Sequence, residues 1–451
     1  MKSAKYFLLI WLFLASCGTP PSTEFVPTET FTPEPTSTQT PIPSPTITPS
    51  PTQIGGASGQ ILFSYRKEEF SSDFPELAGE LNLFTANIDG TNVIPITNGL
   101  KGNNYFQDFS PDGTKILVAS NTSYKESSTL YVVDLNNLDE QPTMISESAP
   151  PTSGYNKFAK WIDNSRIVYI GKGESGFGIY ISNEDGSNPI NIYKNSSGIE
   201  QENPVDILAV TDTHVYWGGE TKVNWGSFNV LTTFAWVTDI DENETISLEY
   251  KGEQILYTYF GGRDLAFSPD NNMIAWHEKA TPDSGPPYHN YLHVAPISDI
   301  NNPYTVEVFG GADLSWFPDG SKILVFDVSI LRQPIEELRE WYAKNPDSPL
   351  ANSFEDLYGL YEVVVSPELP LKNYNLPVEM MWWQSGGAVA TMDIYDISPD
   401  KKQVLVSIYE KDDTSGYIQK FGFLNLETYT FSEIKGFNFT NTVMSGVHWW
   451  P

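Results

Sequence analysis

Cysteine is all but missing. The one that is present, Cys17, has no partner, which excludes an internal disulfide, so the folded part must hold together by its core. Basic residues are scarce as well: 26 Lys and Arg stand against 57 Asp and Glu, for a formal net charge of -31. A surface of that sign repels nucleic acid and anionic membrane faces, and suits the solubility of an exported domain. No apolar run is long enough to span a bilayer, since the longest candidate covers only residues 6–14 against the roughly 20 residues a spanning helix needs. Also absent are the Gly-x-Ser-x-Gly elbow, His-Glu-x-x-His, the phosphate loop and the dinucleotide fingerprint. A catalytic site would therefore need a carboxylate pair or a metal cluster, which spacing along the chain does not reveal.

The start is a short basic stretch (Lys2, Lys5), the apolar run 6–14, and then Leu14-Ala15-Ser16-Cys17. This resembles a bacterial lipoprotein signal, in which small residues admit the peptidase and the cysteine becomes the lipidated first residue. The resemblance implies a signal peptide over 1–17 and a membrane anchor through Cys17. It places the protein in the bacterial cell envelope, on the extracytoplasmic side. Residues 18–53 are almost entirely Pro, Thr and Ser. Such a stretch cannot bury enough apolar surface to offset its ordering entropy, so 18–58 is expected to be a disordered, polyproline-biased tether. At about 3.1 Å per residue, it reaches on the order of 100 Å from the membrane.

From residue 59 onward one pattern recurs. It reads Phe109-Ser110-Pro111-Asp112-Gly113-Thr114-Lys115, then Phe267-Ser268-Pro269-Asp270-Asn271, Trp316-Phe317-Pro318-Asp319-Gly320 and Ile397-Ser398-Pro399-Asp400-Lys401, each followed by an apolar run. Weaker relatives are Trp161-Ile162-Asp163-Asn164 and Val210-Thr211-Asp212. The chemistry is that of a hairpin. Pro and Asp supply the turn, Gly or Asn takes the positive φ, and a β-branched run makes the next strand. A second pattern follows each time, as in Ile88-Asp89-Gly90-Thr91 and Glu184-Asp185-Gly186-Ser187, giving a second turn and four strands per unit. Repetition about every 50 residues is the signature of a radial array of small sheets.

These units resemble those of TolB-type β-propellers, which read aromatic-Ser-Pro-Asp-Gly-x-Lys/Arg before an apolar strand. The resemblance covers nearly all of 59–451 and implies an all-β propeller. Naming strands A to D from the axis outward, strand A ends near Phe109, Trp161, Val210, Phe267, Trp316, Ile397 and Trp449, which predicts seven four-stranded blades. The last of these has no strand B after it, while Gly59-Gln60-Ile61-Leu62-Phe63 looks like a strand B without its A. The expected solution is that the carboxyl-terminal strand completes the amino-terminal blade and closes the ring.

In such a ring the A-to-B and C-to-D turns share one face, and the longer D-to-A and B-to-C connections share the other. The long connections are 66–80, 277–290 and an insertion at about 329–359, whose residues 334–344 read as a short amphipathic helix with Ile335, Leu338 and Tyr342 on one side. That helix either packs on the rim or forms a lid. Loops gathered on one face of a rigid scaffold are where binding resides. Counting back along strand A puts Asp264, Asp313 and Asp393 near the channel mouth. Three carboxylates there suit Ca²⁺ or a cationic ligand, because hard cations select oxygen donors; solvation, or pairing with Arg263, is the alternative. Trp382 and Trp383, with Tyr155, Tyr259, Phe260 and Tyr288, form either an aromatic floor for sugar or peptide or part of the blade cores. His289 and His293 have a chelating i, i+4 spacing only on a helix; on the strand expected here they lie about 13 Å apart. Asp239, Asp241 and Asn243 mimic the opening of a calcium loop but coincide with a C-to-D turn.

The sequence thus points to a tethered propeller acting as a non-catalytic binding or scaffold module for protein, peptide or glycan. One alternative is a hydrolase or lyase acting on an extracellular polymer at the loop face. Another is a structural component of a cell-envelope complex, as the TolB resemblance implies.

Overall fold

A computed structural model describes residues 59–449 except 66–79, 98, 124–125, 151–156, 174–175, 195–202, 226–227, 257–264, 280–288, 310–311, 328–334, 348–350, 352–358, 375–382, 386–387, 391–392, 413–415 and 435–446. Cys17 and the tether lie outside the described residues. The strands form seven four-stranded antiparallel blades, each in the order A-B-C-D. Strand A ends at Phe109, Trp161, Val210, Phe267, Trp316, Ile397 and Trp449, the positions expected from the repeat.

The Ser-Pro-Asp turn explains why the chain reverses where it does. In blade 2, Ser110 Oγ donates to Asp112 Oδ1 at 2.7 Å, Asp112 accepts the Thr114 amide at 3.0 Å, and Ser110 Oγ accepts the Lys115 amide at 2.9 Å. Blades 5 and 7 repeat this through Ser268 with Asp270 and Ser398 with Asp400. The turn also needs a left-handed residue. Gly113 and Gly320 supply it freely, whereas Asn271 and Lys401 hold φ of 54° and 62°.

Strand B after each turn is buried on both faces, so it reads as a continuous apolar run rather than an alternating one. Ile116, Leu117, Val118 and Ala119 in blade 2, and Ile323, Leu324, Val325 and Phe326 in blade 6, are all buried. The core lies between blades: one cluster joins Leu117 and Leu130 of blade 2 to Ile167 and Ile179 of blade 3, and another joins Leu62 and Leu83 of blade 1 to Phe106 and Ile116 of blade 2.

The ring closes as expected. Val447–Trp449 pairs antiparallel with Gln60–Tyr65, with Ile61 opposite Trp449 and Phe63 opposite Val447. Inner strands of successive blades touch in order around the ring, and the Phe106 and His448 rings meet at 4.5 Å between blades 2 and 1.

The long insertion contains helix α1 (Ile335–Lys344). Tyr342 is buried in the cluster that holds Phe326 and Tyr361, with Trp341 packed against it, so α1 sits on the rim of blade 6. The connection expected over 277–290 is shorter, because strand B runs on to Lys279 and strand C begins at His289. Two features go beyond the repeat. Strands B and C of blade 4, His214–Trp225 and Phe228–Asp239, stay paired to Trp225 opposite Phe228, well past their flanking strands. Short hairpins also interrupt two D-to-A connections, Glu249–Tyr250 with Glu253–Gln254 and Trp383–Ser385 with Ala388–Ala390.

The closing strand should behave as core. Trp449 is 8 % exposed, with its ring 5.1 Å from Phe423 of blade 7. Trp449→Ala is expected to cost about 3–5 kcal/mol by urea unfolding. Ile246→Ala on the outer rim should stay within about 0.5 kcal/mol. Equal losses at the two sites would show that the closing strand does not join the cooperative unit.

Candidate ligand face and inner ring

Strand A runs from the loop face to the turn face, so its first residues border the loop end of the axis. Asp313 is the second residue of Ala312–Trp316 and stands opposite Phe326; Asp393 opens Asp393–Ile397 opposite Ser407. These inner strands belong to adjacent blades and touch, so the backbone brings the two positions to the same end of neighbouring strands. Trp383 opens the hairpin between blades 6 and 7, opposite Ala390. Asp264, Trp382, Arg263, Tyr155, Tyr259, Phe260 and Tyr288 lie outside the described residues.

A different set of strand-A carboxylates emerges deeper in the ring. Asp108 Oδ2 accepts the amide of Trp161 in the next blade at 3.0 Å, and Asp396 Oδ2 accepts the amide of Trp449 at 3.1 Å. Asp206 Oδ1 accepts the Lys157 amide at 2.9 Å, and Gln107 Oε1 accepts that of Phe158 at 2.9 Å. The cause is the inner edge of strand A, whose amides face the axis and have no ladder partner. Asp108, Asp206 and Asp396 each follow a β-bulge in their strand, a local kink of the kind that re-aims a side chain, here toward the neighbouring blade. Burial pushes the Asp108 carboxyl above the usual carboxylate range, with Lys160, the Trp161 amide and Lys157 pulling the other way. The signal was present in the sequence: Asp108 and Asp396 each stand directly before the residue that ends strand A.

On the turn face the carboxylates serve their own turns. Burial would raise Asp163, but hydrogen bonds from Ser165 and Arg166 outweigh it and hold the pKa at about 2. Asp239 accepts the amides of Asp241 and Glu242 at 2.9 and 2.8 Å, and Asn243 takes a positive φ, so the calcium-like spacing there is the C-to-D turn itself. In blade 5, His277 pairs opposite Leu292 and His293 opposite Trp276, so the two imidazoles stand on opposite faces of one sheet. His293 instead bonds Thr305 Oγ1 through Nδ1 at 2.8 Å and Glu278 Oε2 through Nε2 at 2.7 Å. Among the described residues no three His, Cys, Asp or Glu side chains gather in a metal-holding group.

Seven antiparallel four-stranded blades around a ring, closed by the first and last strands, define a seven-bladed β-propeller. The chain is similar to TolB from Acinetobacter baumannii, at 16 % identity and a TM-score of 0.37, over 60 % of this chain and 58 % of that one. It is also similar to an oligogalacturonate lyase from Vibrio parahaemolyticus (12 % identity, TM-score 0.43, 77 % and 88 % covered). A third similar structure is a puromycin-hydrolysing peptidase of Mycobacterium tuberculosis (14 % identity, TM-score 0.44, 74 % and 46 % covered). No protein-family model matches the chain, and no curated protein matches it. The fold assignment stands on strand pairing alone.

Burial, with the nearby His293 acting in the same sense, pushes His277 down to about 4. The folded state therefore binds fewer protons than the unfolded chain between about 6.5 and that value. The stability contributed by neutral His277 is complete above the unfolded pKa and is lost as pH falls through this window. Unfolding midpoints should drop from pH 6.5 to pH 4, and His277→Leu should flatten that slope. An unchanged slope would mean that His277 is not buried as neutral imidazole.

Proposed function

We propose that this protein is a lipid-anchored, extracytoplasmic binding module that engages a protein, peptide or glycan through the loop face of its propeller, without catalysis. The observation that carries this reading is the contrast between the two faces. On the turn face, Asp112, Asp163, Asp239, Asp270 and Asp400 are taken up by hydrogen bonds within their own turns. The long connections 66–81, 248–264, 328–359 with α1, and 374–392 all join strand ends at the loop face, as do the strand-A openings that carry Asp313 and Asp393. A rigid scaffold with self-satisfied turns on one side and long loops on the other favours recognition at the loops.

The anchor rests on Leu14-Ala15-Ser16-Cys17 and the Pro/Thr/Ser tether after it. Among the described residues no helix is long and apolar enough to cross a membrane. The acidity of the chain favours a neutral or basic partner, or an acidic glycan bridged by Ca²⁺. A second reading, an enzyme on an extracellular polymer, is favoured by the neighbouring positions of Asp313 and Asp393 alone. A role as a structural part of an envelope complex is compatible with the same anchor.

Two experiments separate these readings. Cys17→Ser should move the protein from the membrane fraction to the soluble one; retention in the membrane would remove the anchor from the proposal. Thermal unfolding of the intact protein with Ca²⁺, neutral oligosaccharides, oligogalacturonate and basic peptides should give a raised midpoint for a true ligand, about 2.7 kcal/mol at a hundredfold excess over Kd. Turnover of a polymer that vanished in Asp313→Asn and Asp393→Asn would replace the binding reading with the enzymatic one.

A further inference from the structure

Blade 5 differs from blades 1, 3 and 4 at one core position. Where strands B and C face each other two residues in from the turn-face end of strand A, blade 1 has Phe63 opposite Phe84, blade 3 has Tyr169 opposite Tyr180 and blade 4 has Trp217 opposite Trp236. Those ring pairs lie 5.8, 5.7 and 5.7 Å apart and nearly parallel. In blade 5 the same place holds Trp276 opposite His293, 5.0 Å apart. Three blades fill this position with an uncharged aromatic ring, so packing alone does not call for a titratable one. His293 is 2 % exposed, and both its nitrogens are used, by Thr305 and Glu278.

The same imidazole is covered by a piece of the neighbouring blade. After strand D of blade 4 the chain folds into the hairpin Glu249–Tyr250 with Glu253–Gln254, turned by Lys251 and Gly252 at positive φ. This strap lies on blade 5. The Tyr250 ring sits 4.9 Å from His293 and 5.3 Å from Trp276, the Lys251 amide donates to Asn301 Oδ1 at 3.2 Å, and Lys251 Nζ stands 4.6 Å over the Tyr250 ring.

We propose that this strap is a proton-sensitive latch, closed over neutral His293 and released when His293 takes up a proton. In the neutral ring, Nε2–H donates to Glu278 and bare Nδ1 accepts the Thr305 hydroxyl, so the imidazole is satisfied without charge. Protonation turns Nδ1 into a donor, forces the Thr305 hydroxyl to reverse, and adds a cation against the Tyr250 ring, over which Lys251 already stands. The groups around the ring are Glu278 on strand B, Tyr291 on strand C, Thr305 and Glu307 on strand D, and Tyr250 and Lys251 on the strap, with His277 behind the sheet. Burial lowers the proton affinity of His293 and Lys251 lowers it further, while Glu278 acts in the opposite direction. Closure is thus complete above the ordinary histidine pKa of about 6.5 and weakens as pH falls through it.

Hydrogen exchange of the intact protein at pH 7.5 and 5.0, corrected for the intrinsic pH dependence of exchange, tests the latch. Protection of the Lys251 and Ile255 amides is expected to fall at least tenfold at the lower pH, while Ile323–Phe326 of blade 6 stays protected. His293→Phe gives the position the ring that blade 1 has there and should abolish the difference. A strap that loosens equally in that variant, or a wild-type strap that stays protected at pH 5.0, would overturn the proposal. Two milder variants test the charge argument even if His293→Phe folds poorly. Lys251→Met removes the charge that opposes protonated His293 under the closed strap and should shrink the loss of protection at pH 5.0, whereas Glu278→Gln should move the release to lower pH; an equal or larger loss with Lys251→Met, or no shift with Glu278→Gln, would equally reject the latch.

Discussion

A blade with two apolar faces cannot stand alone, and that constraint governs the rest of this structure. Each sheet hides its faces only against the sheets on either side, so stability belongs to the ring rather than to any one blade. A ring of this kind is only as sound as its seam. The pairing of Val447–Trp449 with Gln60–Tyr65 puts the seam inside a sheet instead of between two sheets, and Asp396 adds a bond from blade 7 to the Trp449 amide. With no disulfide available, this shared blade does the joining that a covalent bridge would otherwise do.

The inner edge of strand A sets a second condition. Its amides point at the axis, where no fifth strand can pair with them, and they are met by side chains reaching across from neighbouring blades. Asp108, Asp206, Gln107 and Asn271 serve this purpose or bond an inner-strand carbonyl, and Trp316 Nε1 donates to the Ala266 carbonyl at 3.1 Å. Among the described residues, polar groups near the axis thus include a set spent on holding blades together, while Asp313 and Asp393 stand at the openings of their strands.

Much of the fold was legible because the determinants are local. Pro-Asp turns with a left-handed residue mark the strand-A ends at Phe109, Phe267, Trp316 and Ile397, weaker Asp turns mark Trp161 and Val210, and the closing strand at Trp449 is read from a unit that stops before its turn. Helix α1 was legible for the same reason, with Pro334 before it and Tyr342 at the right spacing. What escaped were features set by partners far along the chain. The work of Asp108 and Asp396 depends on a bulge and on an amide in the next blade. His277 and His289 fall in strands rather than in the expected connection because His277 pairs opposite Leu292 and His289 opposite Phe309, which no local signal states. The ribbon of blade 4 runs long on Thr, Asn and Lys as well as Val and Trp, a composition that gives no clear end. Asp313 and Asp393 stand at the starts of their strands, as counting along the repeat expects, but residue spacing names no ligand, since recognition depends on loop conformations that it does not encode.

The place where the chain enters the propeller also has a mechanical consequence. Gln60–Tyr65 is a middle strand, bonded on one side to Asn82–Asn87 and on the other to Val447–Trp449. Tension arriving through Gly59 would run along that strand and load two ladders in shear at once, rather than peeling one strand from an edge. The closure that hides the seam also makes this entry point a place where the sheet resists unzipping.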